Sequence, residues 1–403
     1  MTLFAGLDLN ASRVRGVSGS ATLTPRLLTL DAETRGELPL SISLENRRPE
    51  VGTAGARICR RLPYLTCDNF LPHLGAPRQW TAGRHRLDAG QALALAFKQL
   101  KPSLAECKSA AAALPAYLTR DQGKLFLDLA KQAKLPALNW IAAPLAVAWA
   151  ARSERPWYGL ALVLDVDDHA LTWHAVQVDE PPATPQARLL AEQLAPTLSL
   201  RAWKDRILTG IADRCVRHSR RDPRASATAE QMLYEQFDRA LEAYATGGVV
   251  PLVVQTDHWY QDLVLQPEEL EHYCQALARQ AIGGLPELLA AAAADQPPVL
   301  ILATATAARL PGLLRALEQH SGPRTRLLSL PPDAVARAAL DLAARWHEGS
   351  LPRGPLDRTL PLPKSTPLVR GPAPDLPSRG RLPSHGPNRL RSQDDDFSIR
   401  IDE

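Results

Sequence analysis

The sequence predicts an α/β fold in which mixed sheets are flanked by helices. Over residues 1–350, short apolar strand-like segments alternate with helical segments, as is typical of α/β proteins. Two pairs of strand-like segments are joined by turns too short for a crossover helix, so antiparallel strands must accompany the parallel ones. With 45% apolar and 22% charged residues among 403, the chain can bury a sizeable core.

The first half of the chain contains one predicted hairpin, followed by three helices that alternate with two strands. Thr119 and Gln122 form a capping-box pattern, which predicts the start of a helix. Pro144 suits the first turn of another helix, because its missing N–H would be unpaired there anyway. The predicted elements are strands 3–9 and 14–18, a helix over 88–100, a strand over 110–114, a helix over 120–133, a strand over 138–141 and a helix from 144.

The second half repeats this alternation, again beginning with a hairpin. Pro267 marks the start of a helix there. The predicted elements are strands 160–166 and 171–178, helices 201–218 and 228–244, strands 249–254 and 262–265, a helix from 267, a buried strand over 299–303, and helices near 310–319 and 333–346.

Composition changes sharply near residue 350. The last 53 residues contain 10 of the 35 prolines, and their large apolar residues are too dilute for a packed core. The sequence therefore predicts a folded body over 1–350 and a disordered tail over 351–403. Charge is segregated within this tail, since residues 351–393 carry a net +6 and residues 394–403 a net −4.

Charge, cysteine count and hydropathy exclude several classes of protein. A net charge of +4 over the whole chain does not indicate a nucleic-acid binder. The longest apolar stretch, 141–151, is too short for a membrane span, which needs about 20 residues. Five scattered cysteines without C-x-x-C spacing argue against a zinc ribbon and suit a reducing compartment. We therefore expect a cytoplasmic protein that binds neither nucleic acid nor membrane.

Seven segments, in order, resemble the ATPase domain of the seventy-kilodalton heat-shock chaperone family, a branch of the actin-like fold. Residues 6–12, GLDLNAS, are similar to the family's first phosphate loop, G-I-D-L-G-T-T, and residues 162–169, LVLDVDDH, occupy its second loop, D-L-G-G-G-T. The other segments are ALPAY at 113–117, IAAPLAVA at 141–148, LSLRAWKD at 198–205, LATATAARLP at 302–311 and PDAVA at 332–336. The resemblance covers roughly residues 3–346.

The resemblance implies an actin-like ATPase fold of two lobes, with ATP or ADP and Mg²⁺ between them. By this analogy Asp8 and Asp165 are the catalytic and magnesium-binding carboxylates. The nucleotide-binding positions are Asn10, Ala11 and Ser12 in the first loop, Asp167 and Asp168 in the second, and Ala303 and Thr304 near the adenosine. Each of these carboxylates also has a simpler interpretation as a turn or capping residue.

The glycines that let phosphate approach the backbone are replaced in this sequence. Val166, Asp167, Asp168 and His169 stand at the second loop, and two carboxylates there face a polyphosphate. One like-charge contact at 4 Å costs about 4 kcal/mol at an effective dielectric of 20. We therefore expect a degenerate, non-catalytic or weakly nucleotide-binding scaffold for protein partners. The alternative is an ATP-binding, chaperone-like ATPase with atypical loops, and a third, less supported reading is an actin-like sugar or acetate kinase.

The last ten residues carry a different signal. Phe397, Ile399 and Ile401 alternate behind an acidic cluster, so one face of a short strand is apolar. Such a segment can add to an exposed sheet edge of a partner, although an ordinary charged terminus has the same composition. The chaperones of this family carry a peptide-binding domain after the ATPase body, and this tail stands in its place.

Overall fold

Strands and helices alternate as the sequence predicts, and the predicted elements of both halves are present. The computed structural model describes residues 2–20, 23–34, 36–180, 185–256, 258–293, 296–352 and 354–363. One compact unit spans Met1–Lys364.

The first half contains many short strands and four α-helices among its described residues. Its strands are β1 (Leu3–Leu9), β2 (Arg13–Ser20), β3 (Leu23–Leu27), β4 (Glu37–Pro39), β5 (Ser41–Ser43), β6 (Glu50–Val51), β7 (Thr66–Asp68), β8 (Gln79–Ala82), β9 (His85–Asp88), β10 (Cys107–Leu114) and β11 (Ala137–Ala142). Its helices are α1 (Thr53–Ala56), α2 (Ala89–Leu104), α3 (Arg120–Gln132) and α4 (Ala143–Glu154). The predicted capping box is present, since Thr119 and Gln122 bond reciprocally at the start of α3.

The second half contains longer helices. Its strands are β12 (Gly159–Val166), β13 (Leu171–Val178), β14 (Gln186–Ala195), β15 (Val250–Gln255), β16 (Tyr260–Leu265), β17 (Leu300–Ala303), β18 (Arg326–Ser329) and β19 (Thr359–Pro361). Its helices are α5 (Leu200–Ser219), α6 (Ala227–Ala245), α7 (Pro267–Gly283), α8 (Leu285–Ala291), α9 (Ala305–Ala308), α10 (Leu313–His320) and α11 (Ala334–His347).

Two mixed sheets of the same design organise these elements. The first has the order β11-β10-β1-β2-β3, with β4 also paired to β2, and the second has the order β18-β17-β12-β13-β14-β19. In each sheet the strand that comes first in the chain lies between its antiparallel hairpin partner and two parallel strands. The mixed α/β prediction is therefore confirmed, and the second sheet repeats the strand order and directions of the first.

Among the strands that the sequence interpretation missed are β3 to β7, β14, β18 and β19. Strand β14 reads QARLLAEQLA, and alanine, leucine, glutamate and glutamine favour a helix locally. It nevertheless pairs with β13 along most of its length, and that non-local pairing overrides the local preference.

Helices α4 and α11 pack between the two sheets in one apolar cluster. This cluster includes Ile141 of the first sheet, Val163 of the second, and buried residues of both helices. Gly6 of β1 allows α11 to come close, because a Cβ there would lie 2.0 Å from the carbonyl oxygen of Ala336. The resemblance had put Gly6 in a phosphate loop, but its role in this structure is to contact α11.

The boundary predicted at residue 350 lies too early in the chain. Leu356 pairs with Ile141 at the edge of the first sheet, and β19 pairs with β14 at the edge of the second. Leu351, Leu356, Leu360 and Leu362 are buried in the cluster between the sheets. These leucines stand among prolines, so the average composition of the segment did not indicate that it contributes to a core. Proline suits β19 because the strand lies at a sheet edge. The remainder of the predicted tail, 364–403, lies outside the described residues.

Candidate functional site

Two hairpin turns, one from each sheet, meet at the candidate site. The first turn joins β1 to β2 and consists of Asn10, Ala11 and Ser12. The Oδ1 atom of Asn10 accepts the N–H groups of Ser12 and Arg13, both at 3.0 Å. Asparagine tolerates a left-handed conformation, but Asn10 does not have a positive φ. Its side-chain amide closes the turn instead.

The second turn joins β12 to β13 and consists of residues 167–170. It is closed by a hydrogen bond from the N–H of Asp167 to the carbonyl of Ala170 at 3.0 Å. The Oδ1 atom of Asp167 accepts the N–H groups of His169 at 2.8 Å and Ala170 at 3.0 Å. The carboxylate therefore folds back over its own turn.

The same carboxylate also reaches the first turn. Its Oδ2 atom accepts the N–H of Ala11 at 2.9 Å and the hydroxyl of Tyr117 at 2.6 Å. Only 3% of Asp167 is exposed. Burial, together with the Asp167 charge, raises the pKa of Tyr117 well above its usual value, so its hydroxyl stays protonated and donates. A buried anion thus occupies the backbone donors of both turns.

Ser12 and Asp168 supply a second link between the turns. The N–H of Asp168 donates to Oγ of Ser12 at 2.8 Å. The side chain of Asp168 lies in the field of two cations of α5. Burial raises the pKa of Asp168, while the charges of Lys204 and Arg201 lower it. Asp167 and Asp168 are adjacent in sequence, yet Asp167 binds the turns and Asp168 faces the cations of α5.

The strand-end carboxylates Asp8 and Asp165 border one small cavity, together with Arg13, Thr304 and Val335. The space open to water centres in that cavity is about 10 Å³, which is the size of a single water. Asp8 forms an ion pair with Arg13 at 3.1 Å, and both side chains are largely buried. The carboxylate that the resemblance implies for magnesium is therefore paired with an internal guanidinium.

Asp165 has a neutral partner instead of a cation. Its Oδ1 atom accepts the hydroxyl of Thr304 at 2.7 Å. Burial, followed by the charge of Asp8, raises the pKa of Asp165 to about 7. The two carboxylates are thus close enough for one to affect the ionisation of the other.

Ala303 and Thr304 end β17 and begin α9. Ala303 is fully buried within the sheet. Thr304 is the N-cap of α9, and its hydroxyl oxygen accepts the N–H of Ala307 at 3.4 Å. Both residues have structural roles here, and neither presents a free donor to a ligand.

A second small cavity lies behind the second turn and is bordered by Tyr117, Asp165, Asp167 and His174. His174 is buried, its Nδ1 atom has no hydrogen-bond partner among the described residues, and burial lowers its pKa to about 3. A neutral imidazole with an unused nitrogen is an unusual feature, and no sequence pattern predicted it.

Ion pairs connect the two halves of the chain beside the turns. Arg201 of α5 binds Asp68 of β7 at 2.5 Å, and Arg60 binds Asp205. The Oε1 atom of Gln231 in α6 accepts the N–H of Arg60 at 2.7 Å. The guanidinium of Arg60 lies 4.3 Å from the ring centre of Tyr234. These contacts hold β7 and the segment after α1 against α5 and α6.

The structure thus brings Asn10, Ala11, Ser12 and Asp167 together, and Asp8 with Asp165 beside them. The backbone N–H of Asp168 joins the turns through Ser12, but its side chain takes no part in the contacts between them. The sequence interpretation did not assign roles to Arg13 or Tyr117, and the signal for Arg13 was a cation five residues after a strand-end aspartate. Phe397, Ile399 and Ile401, the predicted docking residues, lie outside the described residues.

The arrangement does not fit Mg²⁺ and a polyphosphate as it stands. Within the described ranges, no group of three histidine, cysteine, aspartate or glutamate residues is placed to hold a metal. The backbone donors that a phosphate needs are bonded to Asp167, and the cavity beside Asp8 has room for a water only. No helix in the described part of the chain is long and apolar enough to cross a membrane.

Comparison with known proteins gives no assignment. No family model matches the chain, and no curated protein matches it.

Proposed function

We propose that this chain is an actin-like, chaperone-type domain whose nucleotide site is filled by its own side chains, and that it acts as a non-catalytic scaffold for protein partners in the cytoplasm. The repeated strand order of the two sheets supports the actin-like assignment, because that fold places nucleotide between two turns of this kind. The five free cysteines suit a reducing compartment.

The observation that carries the proposal is the hydrogen bonding of Asp167. Its carboxylate accepts three backbone N–H groups and one hydroxyl, which is the coordination that a phosphate oxygen pair would need. Arg13 stands beside Asp8 where a cation would sit. The chain therefore supplies both charges of a magnesium phosphate from within, and a ligand must displace a buried anion before it can bind.

The alternative, an ATPase with atypical loops, draws support from a single feature. Asp8 and Asp165 border the same cavity, so two carboxylates are still available at the strand ends. For nucleotide to bind, Asp167 has to rotate away from the first turn and Arg13 has to leave Asp8. Each movement leaves buried charged or polar groups unpaired, which costs about 1–3 kcal/mol per group.

Thermal melting with Mg-ATP and Mg-ADP separates the two functions. Binding at 100 times the dissociation constant stabilises a folded protein by about 2.7 kcal/mol. We expect no shift for the wild-type chain at millimolar nucleotide, and a shift for the double variant Asp167→Gly with Arg13→Ala, which frees both subsites. Asp68→Asn serves as the matched control, since it weakens an ion pair beside the turns without freeing either subsite.

A clear shift in the wild-type chain that disappears in Asp8→Ala contradicts the scaffold proposal and supports the ATPase. A scaffold is also expected to keep its protein partners when Mg-ATP is added. Release of a partner on nucleotide addition is the second result that contradicts it.

A further inference from the structure

The cavity behind the second turn plays no part in the proposed function. Asp165 lies opposite Thr172 in the pairing of β12 with β13. The next pair on the same face is Val163 with His174, because residues two apart in a strand point to the same side of the sheet. Asp165, Thr172 and His174 all border the cavity. The space open to water centres there is about 10 Å³, which is the size of a single water.

The Nδ1 atom of His174 is left without a bond in this part of the protein. Only 3% of the residue is exposed, and Nδ1 has no hydrogen-bond partner among the described residues. Burial, followed by the charge of Arg358, lowers the pKa of His174 to about 3, so the imidazole is neutral. A neutral imidazole has one nitrogen that donates and one that accepts, so Nδ1 needs a partner in either tautomer. Internal waters typically satisfy such buried atoms.

Of the two carboxylates at the cavity, Asp165 is the one that can take a further hydrogen bond. Asp167 already accepts four, which fills the lone pairs of a carboxylate. Asp165 accepts the hydroxyl of Thr304 at 2.7 Å and the backbone N–H of Val166, which leaves about two of its lone-pair sites. The hydroxyl of Thr172 donates to the carbonyl of Asp165 at 3.4 Å, a long bond that it can exchange for a better one.

Size and chemistry together favour water as the occupant. In the part of the chain that the structure describes, no three ligating side chains are placed to hold a metal. The space is far smaller than an organic ligand needs, and the carboxylates around it disfavour an anion. A polar space for one water, with His174, Asp165 and Thr172 as three available partners, meets the requirements for an internal water.

We propose that this cavity binds one internal water, which bridges Nδ1 of His174 to the carboxyl group of Asp165. The water donates one hydrogen to Nδ1 and the other to Asp165, and its oxygen accepts the hydroxyl of Thr172. His174 is therefore a positioning residue, which acts on Asp165 through the water that it orients. The inference does not depend on the nucleotide question, because it uses only the cavity and its unpaired nitrogen.

A count of internal waters tests the proposal, measured by magnetic relaxation dispersion of water oxygen. His174→Phe removes the nitrogen and fills part of the cavity, so it is expected to hold one internal water fewer than the wild type. His174→Asn places an amide oxygen close to the position of Nδ1 and is expected to keep the water. His218→Phe makes the same change at an exposed position of α5. It is the matched control, and its count is expected to equal that of the wild type.

The pKa of Asp165, followed by NMR of its carboxyl carbon, is a second readout. The other charges that raise this pKa are those of Asp8 and Asp167, and all of the His174 variants leave them in place. His174 is neutral, so His174→Phe removes a hydrogen-bonded water and no charge. We expect its ionisation constant for Asp165 to fall about tenfold, which is a rise in pKa, while His174→Asn and His218→Phe stay near the wild type.

Equal numbers of internal waters in wild type and His174→Phe overturn the proposal. An unchanged pKa of Asp165 in His174→Phe, or a rise of the same size in His174→Asn, overturns the role given to the water. A crystal structure of the wild type is a test that needs no variant. The proposal is wrong if that structure has no water within about 3.2 Å of both Nδ1 of His174 and the carboxyl group of Asp165.

Discussion

The Oδ2 atom of Asp167 accepts the backbone N–H of Ala11 at 2.9 Å, across 156 residues of sequence. This bond joins the central hairpins of the two sheets at their turns. Because the same carboxylate also binds His169, Ala170 and Tyr117, it is both an anion at the candidate site and a structural link. The exclusion of nucleotide that we propose and the link between the two sheets therefore depend on the same side chain.

Removing the Asp167 carboxylate is expected to destabilise the protein strongly. Asp167→Ala leaves the N–H of Ala11 and the hydroxyl of Tyr117 buried without an acceptor, together with two N–H groups of the second turn. A buried unsatisfied group costs about 1–3 kcal/mol. We expect a loss of about 3–5 kcal/mol in the free energy of unfolding, measured by urea denaturation.

Asp167→Asn is the informative comparison. An asparagine retains one oxygen acceptor but turns an NH₂ group toward donors, so about half of the loss is expected. Asp168→Asn, next to it in the same turn, is expected to cost less because its side chain does not bind the first turn. Equal losses for Asp167→Ala and Asp168→Asn contradict the role given to Asp167.

A second prediction concerns pH and Asp165. The folded pKa of about 7 lies above the pKa of an unfolded aspartate, near 3.9, so the folded state holds this proton more tightly. The stability that this group contributes is complete below pH about 4 and is lost as pH rises through about 7. The loss is on the order of 3 kcal/mol, since Asp165 is partly exposed.

Asp165→Asn removes the titrating group and retains the acceptor for Thr304. We expect its free energy of unfolding to change less between pH 5 and 8 than that of the wild type, when both are measured by denaturant titration. If the two proteins respond to pH in the same way over that range, Asp165 is not the group that titrates.

Local signals made most of the fold predictable. Capping boxes, prolines at helix starts and short hairpin turns each act within a few residues, so Thr119 and Pro144 marked true helix starts. Strand β14 was not predicted because its composition favours a helix, whereas its conformation depends on pairing with β13.

The sequence predicted where the two hairpin turns lie, but not which groups bond across them. The two turns join the strands of the two predicted hairpins, and Asp167 was expected to repel a phosphate from the second turn. The direction of its side chain depends on Ala11 and Tyr117, which are distant in sequence, so no local pattern could reveal it. The pairing of Arg13 with Asp8 was within reach, because both residues lie on one hairpin.

A third prediction concerns the segment between residues 351 and 363. Leu360 is fully buried and Leu356 nearly so, and they cover the edges of the two sheets. A chain that ends at residue 363 keeps the four buried leucines of this segment and is the reference for melting. A chain that ends at residue 350 loses four buried leucines, and a single buried leucine is worth about 2–5 kcal/mol.

The point variant Leu360→Ala checks this without exposing a new terminus. Its expected loss in the free energy of unfolding is about 2–5 kcal/mol. Leu27→Ala is the control, because Leu27 is 54% exposed and its loss is expected to be small. If the chains ending at 350 and 363 melt at the same temperature, the segment does not stabilise the body.

The last prediction concerns the contact between β1 and α11. A Cβ on Gly6 would lie 2.0 Å from the carbonyl oxygen of Ala336 and 2.2 Å from the backbone nitrogen of Leu340. Neither atom can move without shifting the helix, so Gly6→Ala is expected to destabilise the protein by about 1–3 kcal/mol or more in urea denaturation. Gly322→Ala is the control, since no heavy atom lies within 4 Å of a Cβ at that position.

Because α11 also borders the cavity of Asp8 and Asp165 through Val335, a shift of the helix should widen that cavity. Gly6→Ala is therefore expected to lower the pKa of Asp165 as water enters, and an unchanged pH dependence in this variant would show that α11 does not control access to the carboxylate.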